Sequence, residues 1–298
     1  MTDGKYRDTL RQPGFLPFFW TQFLGAFNDN FLKMVVSLVA YHATVNTPHN
    51  YYVELIAVLF ILPSALFSGY AGHLADVFSK RSVLISVKVF EVVIMLLAFA
   101  AFLAGHLESM LAIVFLMGLH AAFFSPAKYG ILPEMLPERE LSRGNGLLEM
   151  STFVAIILGT SLSGPIYESS GGSLLPTGGL LMAIAIVGLV TSLGIARVPP
   201  SGAAKLLRLN PFGEICDGFR RLRHDRPLWL TVVGISYFWF LGALVQIDML
   251  FFGKELLALT DAHVTLLGTF LAIGIGIGSL AAGRLSGDHI EVGLVPVG

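Results

Sequence analysis

The stretch FLGAFNDNFLKM, residues 23 to 34, sets a carboxylate, two amides and an ammonium inside a largely apolar run from Phe15 to Ala40. They are Asp29, Asn28, Asn30 and Lys33. A charge near the middle of a bilayer costs roughly 2.5 to 3.5 kcal/mol, so such a side chain turns toward a partner or a wet cavity. Asp29 and Lys33 are four apart, which puts them on one face of a helix within reach of each other. Two readings follow. The pair neutralises itself, or the group lines a cavity that takes a polar ligand. Asn28 and Asn30 favour the cavity, because a self-neutralising pair has no need of flanking donors and acceptors.

Other ionisable residues fall in apolar surroundings. Lys88 and Glu91 are three apart, share a helix face and read as a structural pair. Glu149 stands where it can pair with Lys128 to form part of an inner gate, or be an ordinary carboxylate in interfacial water. Asp248, with Gln246, reads either as the mouth of a cavity or as a solvated helix end. The eight histidines, His120 among them, scatter through loops and span ends with no pair at ligand spacing, so no metal or other cofactor is expected. GIGIGSLAAG, from Gly274, lies in an apolar run and reads as helix packing rather than a phosphate loop, and GTSLSG, from Gly159, has no strand before it to make a nucleophile elbow. No catalytic residues and no enzyme are expected.

The elements that must hold these residues follow from composition. Of the 298 residues, 55% are hydrophobic and 13% charged, and the mean hydropathy is +0.75. That is the balance of a membrane protein. A net charge of −1 excludes nucleic acid as a partner, which needs a concentrated basic surface. The single cysteine, Cys216, excludes an internal disulfide. Polar clusters divide the chain into eight apolar stretches of roughly 18 to 25 residues, each long enough to cross the hydrocarbon core as a helix. They run 15–41, 52–75, 82–104, 109–126, 145–168, 174–197, 228–252 and 263–285. None alternates as a barrel strand would. The expectation is an all-α polytopic membrane protein.

Lysine and arginine set the orientation. Lys5, Arg7 and Arg11 precede the first span; Lys80 and Arg81 lie between the second and third; Lys128, Arg139 and Arg143 between the fourth and fifth. The basic connection from Arg197 to Arg226, and Arg284, fall on the same side, with Lys254 alone opposite. The N-terminus is therefore expected in the cytoplasm.

FLGA recurs at residues 23–26 and 240–243, and GHLAD at Gly72 is echoed by GRLSGD at Gly283, at similar offsets in equivalent spans. Two parallel halves joined by a long basic connection, together with GHLADVFSKR between the second and third spans, resemble the major facilitator superfamily. That motif is G-x-L-A-D-x-x-G-[R/K]-[R/K]; here Ser79 replaces its glycine, and Val77 stands where a basic residue is common. Gly72 is expected to let helices approach closely, Asp76 to sit near a helix N-terminus, and Lys80 and Arg81 to hold the loop inside. On this plan residues 1–14 form a tail, 15–197 a complete six-helix half, 198–227 a linker and 228–298 the first two helices of the second half, so the sequence reads as stopping early. In the linker, Phe212, Ile215, Phe219 and Leu222 recur at helical spacing beside arginines, as in a helix lying on the phospholipid bilayer.

FFSPAKYGILPE, from Phe123, and NGLLEMSTFVAIILG, from Asn145, resemble the bacterial lysophospholipid transporter branch of that superfamily, most closely from Ser125 and Lys128 to Gly130 and then at Asn145, Gly146, Glu149 and Ser151. The resemblance implies a transporter in the bacterial inner membrane with membrane lipid as substrate, chiefly the ethanolamine lysolipid, returned for reacylation. It also implies an acyltransferase or acyl-carrier-protein synthetase in cis or trans. An ethanolamine phosphate would offer its ammonium to Asp29 and its phosphate to Lys33. Two alternatives stand beside this: a cation-coupled exporter of drugs or small solutes, and a membrane module serving a fused acyltransferase.

Overall fold

The structure, a computed structural model, describes residues 9–44, 51–198, 219–220 and 222–286. Among these the regular structure is entirely helical. The long helices are α1 (Phe15–Thr44), α2 (Tyr52–Val77), α3 (Lys80–Ala104), α4 (Leu107–Gly130), α5 (Glu138–Ser169), α6 (Leu174–Leu193), α7 (Arg226–Phe251) and α8 (Asp261–Ser286). A single turn, Leu132–Met135, follows α4, and a π-helical turn, Phe252–Leu256, follows α7. The first seven meet the length and hydropathy needed to cross a membrane. α8, 26 residues long, occupies the place of the eighth expected span.

Boundaries shift where polar residues continue a helix past the hydrocarbon. α5 starts at Glu138 rather than 145, because ERELSRGN extends the helix as a polar turn. α4 runs through Pro126 to Gly130, and α6 stops at Leu193, before Gly194. The linker helix read around Phe212 and Ile215, most of the basic connection, Cys216, Lys5, Arg7 and Asp288 lie outside the described residues.

α1 is the central helix. It buries Phe18, Gln22, Phe27, Asn28, Phe31, Leu32 and Val35 on several sides, packing against α5 and α6 and, less extensively, α2 and α4. α2 pairs with α4, α3 with α4 and α6, and α5 with α8. In lipid the tails are as apolar as leucine, so close backbone contact at small residues does much of the work. A Cβ at Gly118 of α4 would lie 2.2 Å from the Phe60 carbonyl oxygen of α2, and one at Gly159 of α5 2.7 Å from that of Phe27. One at Gly164 would lie 2.4 Å from the Asp261 carbonyl oxygen. Gly159 and Gly164, both in the stretch GTSLSGP, therefore stand at close helix contacts. Gly72 does not: a Cβ there meets nothing within 4 Å. Asp76 lies in the last turn of α2, four residues before Lys80 opens α3.

Apolar cores follow one another along the bundle. One at the N-terminal end includes Phe15, Phe18, Leu84, Ile131 and Leu148. A central one includes Phe31, Val35, Ile94, Met95, Val114 and Met117. The third, at the far end, joins Leu38, Tyr41 and Val53 to Leu250 and Val264. α7 packs chiefly on α8 and the π turn. Tyr237, Phe238, Trp239 and Phe240, consecutive and so pointing all round the helix, are all exposed.

Candidate functional site

At mid-depth, α1, α3 and α4 bring together five polar side chains: Asn28 and Asp29, Lys88 and Glu91, and His120. Lys88 and Glu91 are ion-paired with no exposure of either side chain. A buried charge is tolerated only when paired and hydrogen-bonded, and Glu91 meets that condition several times over. Asn28 Nδ2 donates to Glu91 Oε1 at 3.0 Å and to the Leu181 carbonyl of α6 at 3.2 Å. His120 Nε2 lies 3.2 Å from Glu91 Oε2. Glycines make room for the ammonium: a Cβ at Gly188 would lie 2.9 Å, and one at Gly25 3.2 Å, from Lys88 Nζ. The expected Lys88–Glu91 pair therefore forms. Asn28, read as a ligand donor, is committed to Glu91 instead.

Asp29 differs from Glu91 beside it. Its side chain keeps 16% of its surface open, and the one basic side chain within ion-pair distance among the described residues is His120, with Nδ1 3.9 Å from Oδ1. Of the two readings of Asp29 and Lys33, the self-neutralising ion pair does not form. Lys33 donates to Asn30 Oδ1 at 3.3 Å and lies over the Phe60 ring, 5.2 Å from its centroid. Helical spacing puts the two within reach without making them meet. Asn30 also donates to the Ala26 carbonyl at 2.8 Å.

Toward the N-terminal end, a second polar chain joins α1, α5 and α4. Gln22 donates to Ser151, Thr152 donates to Gln22 Oε1 at 3.1 Å, and Lys128 donates to Thr152 at 3.0 Å. Lys128 is buried, beneath the Tyr129 ring at 5.0 Å. Of the two readings of Glu149, pairing with Lys128 is absent; the Tyr129 hydroxyl donates to Glu149 at 2.9 Å. Lys80 is buried and ion-paired with Glu134. Arg81 donates from Nε and Nη2 to the Ile195 and Leu193 carbonyls at 2.8 Å, closing the negative end of α6. Ser79, where the motif has glycine, donates to the Val198 carbonyl at 2.8 Å. Ser125, Gln246 and Asp248 are exposed and join neither cluster.

A third cluster ties the far ends of α1 and α5 to α8. His42 reaches both oxygens of Asp261, at 2.9 and 3.0 Å, and Lys254 pairs with the same carboxylate. Glu168 accepts from the Asp261 backbone N–H at 3.0 Å, and Tyr167 stacks on His42. Sequence reading missed His120 and this far-end set. His120 carried a usable signal, a polar ring in the middle of the apolar run LAIVFLMGLHAAFF; the far-end residues, at span ends, carried none.

A family model described as Major Facilitator Superfamily matches residues 18–295. Proteins named lysophospholipid transporter LplT are similar to this chain. That of Escherichia coli is 32% identical over 89% of this chain and 64% of its own length, and that of Cronobacter sakazakii 30% over 93% and 67%. The chain thus spans about two thirds of the length of these curated relatives. Among solved structures, a bacterial homologue of the human lysosomal transporter Spinster, inward-facing and unoccupied, aligns with a TM-score of 0.60 at 17% identity, covering 91% of this chain and 62% of that one. A peptide transporter POT bound to alafosfalin aligns at 0.51 and 16%, covering 85% and 56%. At these identities the likeness concerns the fold.

Proposed function

The chain belongs to the Major Facilitator Superfamily, and from that premise we propose that it serves a secondary transporter of lysophospholipid in the bacterial inner membrane, with the ethanolamine form as preferred substrate. The observation that carries the reading is the contrast between two neighbouring carboxylates. Glu91 is sealed and fully partnered, whereas Asp29 is partly open and has no ammonium within ion-pair distance among the described residues. Asp29 takes the headgroup ammonium. Lys33, one turn along and held only by an amide and a ring, takes the phosphate. Lys128, buried without a carboxylate partner, serves the same anion nearer the N-terminal end. The similarity to proteins named lysophospholipid transporters supports the substrate class.

Transport proceeds by alternating access, the half formed by residues 15–197 rocking against the half that begins at 228, across a linker at 198–227. Lys80 and Arg81, bonded to Glu134 and to the end of α6, hold the N-terminal end of the first half rigid. The distribution of basic residues supports a cytoplasmic N-terminus. An acyltransferase or acyl-carrier-protein synthetase, in cis or trans, consumes the delivered lipid. The test is uptake of labelled lysophosphatidylethanolamine into proteoliposomes, with drug efflux measured in parallel. Asp29→Ala and Lys33→Ala proteins that insert normally should lose at least tenfold in uptake. Unaltered uptake by both would refute the assignment, and drug efflux without lipid uptake would favour an exporter.

A further inference from the structure

The connection between the halves enters α7 through a basic and aromatic corner. Residues 219–224, helical where described, meet α7 at Asp225, whose N–H donates to the Leu222 carbonyl at 3.2 Å and whose Oδ1 accepts from the Leu228 N–H at 3.1 Å. That bend sets Phe219 edge-on to Trp229, with ring centroids 5.0 Å apart, and lays the Arg223 guanidinium over the Trp229 ring, 5.8 Å from its centroid. A guanidinium over an indole face is attracted by the ring quadrupole and keeps its N–H edge free for another partner. Arg220, Arg223 and Arg226 are exposed, and so are Phe219, Leu228 and Leu230.

The charge of this corner is unbalanced. Asp225 is the one acidic residue between Phe219 and Ile247, and its carboxylate is engaged in capping α7. Among the described residues no carboxylate lies within ion-pair distance of Arg220, Arg223 or Arg226. α7 turns apolar directly after Pro227, and at about 1.5 Å per residue Trp229 stands roughly 4.5 Å along the axis from Arg226. The guanidiniums are therefore at headgroup depth and the indole at the edge of the hydrocarbon, the level tryptophan favours. Six crossings, α1 to α6, precede α7, so α1 and α7 start on the same membrane face.

We infer that the corner formed by Phe219, Arg223 and Trp229 is a binding site for one anionic diacyl phospholipid of the surrounding leaflet, of the phosphatidylglycerol class. Its phosphodiester meets the edge of the Arg223 guanidinium, with Arg220 and Arg226 beside it, and its acyl chains lie along Phe219, Leu228 and Leu230. Arginine's fork matches two phosphate oxygens at once. Stacking on Trp229 holds the fork in place beforehand, so little side-chain freedom is lost on binding. A zwitterionic lipid is a poorer ligand, because its own ammonium leaves no net negative charge to offset three arginines. The site goes beyond the transport reading: this lipid is a fixture where the connection joins the second half, and not cargo.

The experiment reconstitutes the full-length protein in mixed phosphatidylethanolamine and phosphatidylglycerol bilayers and adds one or the other lipid with brominated acyl chains, at equal mole fraction, to quench tryptophan. The emission missing from Trp229→Phe is that of Trp229. Brominated phosphatidylglycerol should quench it as though enriched at least about fivefold over phosphatidylethanolamine, the worth of one arginine at an anionic surface. Arg223→Gln combined with Arg226→Gln should remove the preference, and Arg11→Gln, an exposed arginine on the same face, should leave it intact. Equal quenching by the two lipids in the wild type would overturn the inference. So would loss of the preference in Arg11→Gln, which indicates a general surface charge, or its abolition by excess inorganic phosphate, which indicates a site for soluble anions. If the double variant does not insert, the wild-type comparison and Arg11→Gln decide. None of these outcomes bears on lysolipid uptake, which stands or falls on its own assay.

Discussion

The mid-depth cluster and the far-end cluster are built from the same side chains, a histidine, a lysine and two carboxylates, and differ in what they join. Lys88, Glu91 and His120 bind α1, α3 and α4 within one bundle, and Lys88 and Glu91 have no exposed surface. His42, Lys254, Asp261 and Glu168 bind α1 and α5 to the π turn and α8, and the His42 side chain is 44% exposed. An ion pair cut off from water is costly to break, because either partner alone would be left as an uncompensated buried charge. At the far end the Lys254–Asp261 pair is also largely buried, and only the contact of His42 with Asp261 reaches water, where a pair can break at small cost. The lesson is that one chemistry serves to fix helices in the interior and to hold them reversibly at the end.

Removing one partner from the interior set should have the largest effect. Lys88→Met or Glu91→Gln leaves an uncompensated buried charge and should cost about 3 to 5 kcal/mol, seen as a loss of folded protein in thermal or detergent unfolding. The double variant Lys88→Met with Glu91→Met should recover most of that loss. If each single variant were as stable as wild type, the interior cluster would be no different in kind from the far-end one.

Backbone contact gives an intermediate effect. Gly164→Ala forces a methyl toward the Asp261 carbonyl, which is backbone and cannot swing aside. A destabilisation of about 1 to 3 kcal/mol is expected, together with greater labelling of cysteines placed at the far end of α8. Gly72→Ala, at a site with open space, is the control and should change stability by less than about 0.5 kcal/mol.

The smallest change in stability is expected from His42→Gln, at most about 1 kcal/mol, whereas Lys254→Gln, which takes the ammonium from a buried carboxylate, should cost more. These variants should still raise the accessibility of a cysteine at the far end, because they loosen a contact between helices without disturbing either one. Unchanged labelling in both would mean that apolar packing of Tyr41, Leu250 and Val264 holds the end by itself.

Much of the architecture was legible because a bilayer leaves few choices. A run of about 20 apolar residues has to satisfy its own backbone hydrogen bonds and therefore forms a helix, and the spans read from hydropathy are the helices found. The site was legible in part. Lys88 and Glu91, three apart on one helix, met as their spacing allowed. Asp29 and Lys33, four apart, did not: the ammonium donates to Asn30 and lies over the Phe60 ring. Spacing along one helix establishes that two side chains can meet, and the neighbouring helix decides whether they do.

That division runs through the whole protein. By itself the sequence determined the helices, their approximate ends, the depth of Asp29, Lys88 and Glu91, and the likeness of its motifs to a transporter superfamily, since these depend on local composition and spacing. Tertiary structure alone decided that His120 would stand between Asp29 and Glu91, that Tyr129 rather than Lys128 would hold Glu149, and that Asp261 would close on His42. Each of those partnerships crosses from one helix to another, and the rotation of a helix about its axis is set by the close contact of small residues such as Gly118 with Phe60 and Gly159 with Phe27, which no count along a single helix contains.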